Sequence, residues 1–283
     1  MPSLRINPLL AKELRIRMRT WRTFAMVSLY LLGLGGFALL FFSAMFSTVR
    51  MGYDSLSELG RAMFAFLAFL QSGLVIFSVP ALLGNAVSGE RERQTFDLLA
   101  CTQLTPWGIV LGKLAAGLSA VVLLMVASLP LYGFVFLMGG VSPAELATLF
   151  LAQLCTAFFV GCWSVMFSAL FRRTITAIIA SYALTGFLTG GTLILAILLS
   201  EIFYQSGTVL SYPLLILNPA ALLEWVFPEE AGAALEFFLP HYPFVNSPVK
   251  FWHLVFLASS AFAFLCLRIA ARGVNPLIGK RKG

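Results

Sequence analysis

Apolar residues run along this chain in six long stretches, about 23–46, 62–83, 107–139, 146–171, 174–199 and 251–270, divided by polar connections. A helix needs roughly 20 mostly apolar residues to cross a bilayer, and each stretch reaches that length. The pattern predicts an all-α polytopic membrane protein with six transmembrane helices, forming a single transmembrane domain over 1–283. The third stretch exceeds one perpendicular crossing, since 107–139 as a helix would reach about 50 Å. Its first turns are therefore expected below the membrane, near Lys113. Thr105-Pro106 suits a helix start there, with Thr as N-cap and Pro at the first helical position.

The connections carry an orientation. Segments 1–22, 84–113, 172–173 and 268–283 hold six, three, two and five Lys and Arg. The alternate connections hold Arg50, Arg61 and Lys250, alongside eight acids from Asp54 to Glu236. Excess Lys and Arg mark the cytoplasmic side, so both termini are expected inside. Leu210–Phe227 is apolar enough to suggest a seventh crossing, but that would carry the basic C-terminus outside. Its Pro213, Asn218, Pro219 and Glu224 would also leave backbone groups unsatisfied in lipid. Region 200–250 is instead expected outside, with re-entrant helices before the last span. His241, Tyr242, Phe251 and Trp252 would then sit in the outer aromatic belt.

The first 22 residues lack the apolar core and cleavage site of a signal peptide. Asn7-Pro8 can open a helix there. Leu10, Leu14, Met18 and Trp21 would share one face and Lys12, Arg15, Arg19 and Arg22 the other, with Arg17 interrupting the apolar stripe. An N-terminal amphipathic helix along the inner leaflet is expected.

Composition agrees with a bilayer as solvent. Only 11% of residues are charged and 60% are hydrophobic, with a mean hydropathy of +0.93; soluble domains carry about 25% charged residues. The net charge of +7 is spent on topology rather than gathered into a patch, so membrane lipid is the expected partner and nucleic acid is not. The four Cys fall in or beside apolar runs without metal-ligand spacing, and read as small packing residues.

Chemistry is sparse inside the spans. Lys113 is the one ionisable residue well within a run, near a helix start where a long side chain can snorkel. Proton-coupled carriers and intramembrane proteases need ionisable groups at depth. Gly108–Lys113 (GIVLGK) is one residue short of a phosphate-binding loop, has Leu114 where Ser or Thr should hold magnesium, and follows no strand. No catalytic residue, metal site or cofactor is expected in this chain. It must draw energy from another molecule or conduct passively, and a channel or a membrane scaffold stays open as the alternative. Gln71, Ser72, Ser78, Thr185 and Thr189, as polar residues within spans, are candidates for a substrate path. Gly33, Gly35 and Gly36, with Gly186, Gly190 and Gly191, allow close helix approach within the subunit, at a dimer seam or along a path.

One connection is unusual. Gly84–Lys113 is far longer than a two- to eight-residue link. It alternates Glu90, Arg91, Glu92 and Arg93, then runs Thr95-Phe96-Asp97-Leu98-Leu99. Ser88 or Gly89 can cap a short helix there, and Phe96 and Leu99 share a face. Such a helix serves as a docking knob for a soluble partner, or rests on headgroups.

This segment resembles that of the ABC-2-type transporter permeases. Those carry Gly-Glu-Arg-Glu-x-x-Thr-x-Asp/Glu-Leu-Leu after the second span, then a Pro and a Leu-Gly-Lys opening the third. Here the matching residues are Gly89, Glu90, Arg91, Glu92, Thr95, Asp97, Leu98, Leu99, Pro106, Leu111, Gly112 and Lys113. Lys12-Glu13-Leu14-Arg15 is similar to the family's connecting helix. Gln94 stands where many members have Gly or another small residue.

The resemblance implies that the segment is a coupling helix seated in a separate ABC ATPase subunit, which binds ATP and magnesium. Glu90, Arg91, Glu92, Thr95, Phe96, Asp97 and Leu99 are then the expected ATPase contacts. It further implies an exporter of two ATPase subunits and two permease subunits, identical or related, in a bacterial cytoplasmic membrane. Substrate would leave between the second and fifth spans of facing subunits.

Overall fold

The computed structural model describes residues 21–50, 56–95, 105–202, 215–227 and 251–274. All regular structure among them is helical. In chain order it comprises α1 (Trp21–Arg50), α2 (Leu56–Leu83), the short α3 (Ser88–Glu92), α4 (Pro106–Met138) and α5 (Pro143–Leu170). Then come α6 (Thr174–Gly186), a π turn (Phe187–Gly191), α7 (Thr192–Ile202), a 3-10 helix (Pro219–Trp225) and α8 (Phe251–Val274). With α6, the π turn and α7 taken as one, six helices are long and apolar enough to cross a membrane. Each lies on one of the six apolar runs, and the chain is a multi-pass membrane protein. The expected inner-leaflet helix falls almost wholly outside the described residues, as does most of 200–250.

Helix ends follow local chemistry. Thr105 accepts from the Gly108 N–H at 3.2 Å, with Pro106 first in α4. Ser142 and Glu145 form a capping box at α5, with Pro143 first. Gly139 and Gly140, at φ 84° and 82°, turn the chain between α4 and α5 in the left-handed region that glycine enters without penalty. Their carbonyl side crosses α2 closely: a Cβ on Gly60 would lie 2.3 Å from the Gly139 oxygen.

The hub is α5, which packs on α2, α4, α6, α8 and the 3-10 helix. Leu83 of α2 enters a notch formed by two glycines, where a Cβ on Gly117 would lie 2.1 Å, and one on Gly161 2.9 Å, from its methyl carbons. The glycines expected to mark close approaches behave differently. A Cβ on Gly33, Gly36, Gly186 or Gly190 would meet nothing within 4 Å, so these positions line open faces of the subunit. Cys162 and Cys266 are buried packing residues.

The stretch 215–227 is seated on the bundle rather than draped over it. Leu215 and Leu222 join the core cluster of Val160, Leu188 and Val255, while Leu223, Val226 and Phe227 join that of Phe64, Leu67 and Tyr132. Thr156 of α5 donates to the Pro219 carbonyl at 3.2 Å. Trp252 stacks on Trp225, with ring centres 5.2 Å apart. Phe251, expected in an aromatic belt, is buried in the core instead, because the 3-10 helix packs on the start of α8.

Candidate functional site

The ends of α2, α5 and α8 and the starts of α4 and α6 converge on residues 84–95. A helix terminus leaves N–H or C=O groups without intrahelical partners, and side chains of this segment supply such partners at α5, α6 and α8.

The start of α3 is capped from outside the segment. No side chain at its own N-cap, Val87, performs that role. Ser168 Oγ of α5 instead accepts from the Val87 and Ser88 N–H groups at 2.9 and 3.0 Å. This corrects the expectation that Ser88 or Gly89 caps the helix: Ser88 already lies inside it, and its hydroxyl is 3.1 Å from the Gly84 carbonyl, to which it donates. Both serines are fully buried.

Arg91 turns inward. Nη1 donates to the Ala169 carbonyl at 2.7 Å and Nη2 to the Gly273 carbonyl at 2.8 Å. These residues stand one short of the ends of α5 and α8. One guanidinium therefore satisfies two helix C-termini, each carrying partial negative charge. Burial lowers its pKa from the ordinary arginine value, and nearby Arg172 lowers it further.

Glu92 does the converse for α6. One carboxylate oxygen accepts from the Thr174 N–H at 2.8 Å and the other from the Thr174 hydroxyl at 2.6 Å. Arg173, at the N-cap, supplies no side-chain cap, so Glu92 takes that role at the positive end of the helix. The hydrogen bonds from the Thr174 hydroxyl and N–H hold its carboxyl below 4.5. Glu90 pairs with Lys113 of α4, whose side chain is 7% exposed. Lys113 does not snorkel to headgroups. It is consumed by this ion pair.

The end of α3 explains a departure noted in the sequence. Thr95 N–H donates to Glu90 O at 2.9 Å and Gln94 N–H to Arg91 O at 3.1 Å, the two bonds of a Schellman motif. That motif places its penultimate residue in the left-handed region, and Gln94 has φ 58°. Glycine at this position is the conformationally cheap choice.

A family model described as ABC-2 family transporter protein matches residues 8–270. The chain belongs to that family. ABC-2 proteins are the membrane permease component of ABC transporters, not themselves catalytic, and in general work with an ABC ATPase. No match was found among curated proteins.

Within this ABC-2 permease, the expected ATPase contacts divide. Glu90, Arg91 and Glu92 bond to their own bundle, while Thr95 is exposed. Phe96, Asp97 and Leu99 lie outside the described residues. The outward surface of the segment includes Arg93 and Gln94, which were not among the expected contacts. Sequence reasoning also missed Ser168 and Thr174. Thr174, just after Arg172-Arg173, carried a signal as the first residue of a span, but Ser168 looks like any small residue in one.

The path candidates do not share one surface. Gln71 accepts from the Tyr132 hydroxyl, and Ser72 accepts from Gln153 Nε2 at 3.2 Å, both buried between α2, α4 and α5. Ser78 donates to the Leu74 carbonyl of its own helix. Thr185 and Thr189 donate to the carbonyls four residues back, and Thr185 also accepts from Trp163 Nε1 at 2.9 Å. GIVLGK forms the opening turns of α4, so it offers no loop around a phosphate.

Proposed function

We propose that this permease is the membrane-spanning subunit of an exporter, and that residues 84–106 pass the movement of a separate ATPase into the bundle. The observation that carries this reading is the set of three consecutive side chains on α3. Glu90 grips α4, Arg91 grips α5 and α8, and Glu92 grips α6. A push on a segment fixed to four helix ends moves spans rather than deforming a loop, because packed elements shift as bodies.

On this reading the termini and α3 face the cytoplasm, following the Lys and Arg bias. The ATPase binds ATP and magnesium and meets Arg93, Gln94, Thr95, Phe96, Asp97 and Leu99. Glu90, Arg91 and Glu92 then transmit force rather than form most of the docking face. A second permease, identical or related, completes the pair in a bacterial cytoplasmic membrane, and 200–250 folds on the outer side.

The test is Phe96→Ala with Leu99→Ala in the assembled transporter. Truncating interface anchors typically costs about 2 kcal/mol or more, so retention of the ATPase should fall at least thirtyfold, or hydrolysis should continue without transport. Transport and ATPase retention equal to the unmodified complex would refute the docking role. Transport with no ATPase present would establish a passive channel instead.

A further inference from the structure

The fifth crossing is interrupted midway by the π turn, and the interruption is held from outside the helix. The Thr192 N–H donates five residues back, to Phe187 O. A π turn amounts to one surplus residue in an α-helix, and such turns are rare and concentrate where a helix has a function beyond spanning. Asn218, 5% exposed, reaches it from the segment before the 3-10 helix. Its Nδ2 donates to the Thr189 carbonyl at 3.0 Å and to Thr192 Oγ1 at 3.2 Å, while its Oδ1 accepts from the Ala220 N–H at 2.9 Å. One amide therefore starts the 3-10 helix and grips the π turn.

In a regular α-helix the Thr189 oxygen would belong to the N–H four residues on, at Leu193. Within lipid an oxygen without a donor is costly. The Asn218 amide supplies a donor to that oxygen from outside the helix. A Cβ on Gly186 or Gly190 would meet nothing within 4 Å, while one on Gly191 would lie 3.0 Å from the Phe187 ring.

We propose that Asn218 is the latch of a register switch in the fifth span. While it holds Thr189 and Thr192, the surplus residue stays in the π turn. When the 215–227 element withdraws, the turn rewinds and α7 rotates by about 100° and advances by about 1.5 Å, one residue's worth. Each residue then takes the place of its successor. Leu195, now 38% exposed, takes the buried place of Ala196, and Leu193 takes the lipid-facing place of Ile194, now 61% exposed. The inference concerns this chain alone and stands whether or not the ATPase docks as proposed.

Single spin labels at 193–199 of the full chain in bilayers, read by their accessibility to dissolved oxygen, test it. The unmodified chain should show maxima at 194 and 198 and a minimum at 196. Asn218→Ser keeps a capping oxygen for Ala220 but lacks the reach to the π turn. Its pattern should move one residue toward the N-terminus, to maxima at 193 and 197 and a minimum at 195. Deleting Gly190 removes the surplus residue, so α7 keeps its present faces in a plain α-helix. Added to Asn218→Ser, the deletion should restore maxima at 194 and 198. An unmoved pattern in Asn218→Ser overturns the latch, and a shift that the deletion fails to reverse overturns the rewinding. Should Asn218→Ser not fold, the deletion alone decides: with Asn218 intact it should leave the pattern in place, and a displaced or lost pattern overturns the proposal.

Discussion

Replacing Arg91 by alanine removes two charge-assisted hydrogen bonds at once and leaves the Ala169 and Gly273 carbonyls without their guanidinium donors. Each bond to a charged group contributes roughly 1.5–3 kcal/mol. Arg91 is only partly buried, so water can replace some of what is lost, and half the combined value is a fair expectation. The segment should therefore open more readily by about 1.5–3 kcal/mol, or roughly 10- to 150-fold at about 1.4 kcal/mol per decade.

The buried Val87 and Ser88 amides, both bonded to Ser168, report that opening directly. Hydrogen exchange of a peptide over 84–95, with the permease in bilayers, should quicken by that factor in Arg91→Ala. Lysine is a point charge without the planar fork, so Arg91→Lys should recover one carbonyl at most and give an intermediate rate. In the assembled transporter, hydrolysis should survive Arg91→Ala while transport per ATP falls. Exchange within threefold of the unmodified chain would mean that Arg91 rests on the helix ends without anchoring them, and the force-transfer reading would lose its central residue.

Gln94→Gly should relieve a left-handed residue that costs roughly 1–2 kcal/mol with a side chain, less the entropy glycine loses on folding; exchange over 84–95 should slow slightly, and any acceleration contradicts the Schellman assignment. Lys113→Met leaves the part-buried Glu90 carboxylate facing an apolar group, which should cost less than the roughly 3 kcal/mol of a fully buried pair; adding Glu90→Gln should recover most of it, as a double-mutant cycle on thermal unfolding will read. Glu92 has a lowered folded-state pKa, so its cap on α6 is complete above the ordinary value of 4.5 and is lost as pH falls through the lowered one. Exchange at the start of α6, corrected for intrinsic rates, should quicken as pH falls below 4.5 in the native chain but not in Glu92→Gln.

The spans were legible because hydrophobic length alone decides what a bilayer accepts. The start of α4 was legible because Thr105 and Pro106 act within their own turn. The charged run at 90–93 drew notice for its pattern, but its partners did not, since Arg91 binds backbone oxygens and carbonyls leave no mark in a sequence. Ser168 is one of several serines in spans, and only the fold brings it to Val87. Gln94 was an unexplained departure until its φ was known. The interruption at 187–191 was read as small residues for close packing, although the same glycines also permit a wide turn, and periodicity cannot tell the two apart. The partner of that turn, Asn218, lies 29 residues from Thr189, beyond any local pattern.

One physical rule accounts for the contacts of α3 and of the π turn. Lipid supplies no hydrogen bonds, so a backbone group that a helix cannot satisfy must be met by protein within the bilayer, and by protein or water at its surface. Such groups arise at helix termini and at the π turn. In this permease they are met by side chains of connecting segments: Arg91 and Glu92 at one level, Asn218 at the other. The spans themselves are held by broad apolar contact, where no single residue decides the arrangement. A connection, by contrast, fixes a span through two or three bonds of a kind that a modest movement breaks together. Bistability should therefore reside in the connections. A partner that moves α3 by a few ångströms acts on the contacts with the sharpest dependence on distance, and the helices respond as rigid bodies because their packing resists any gradual change.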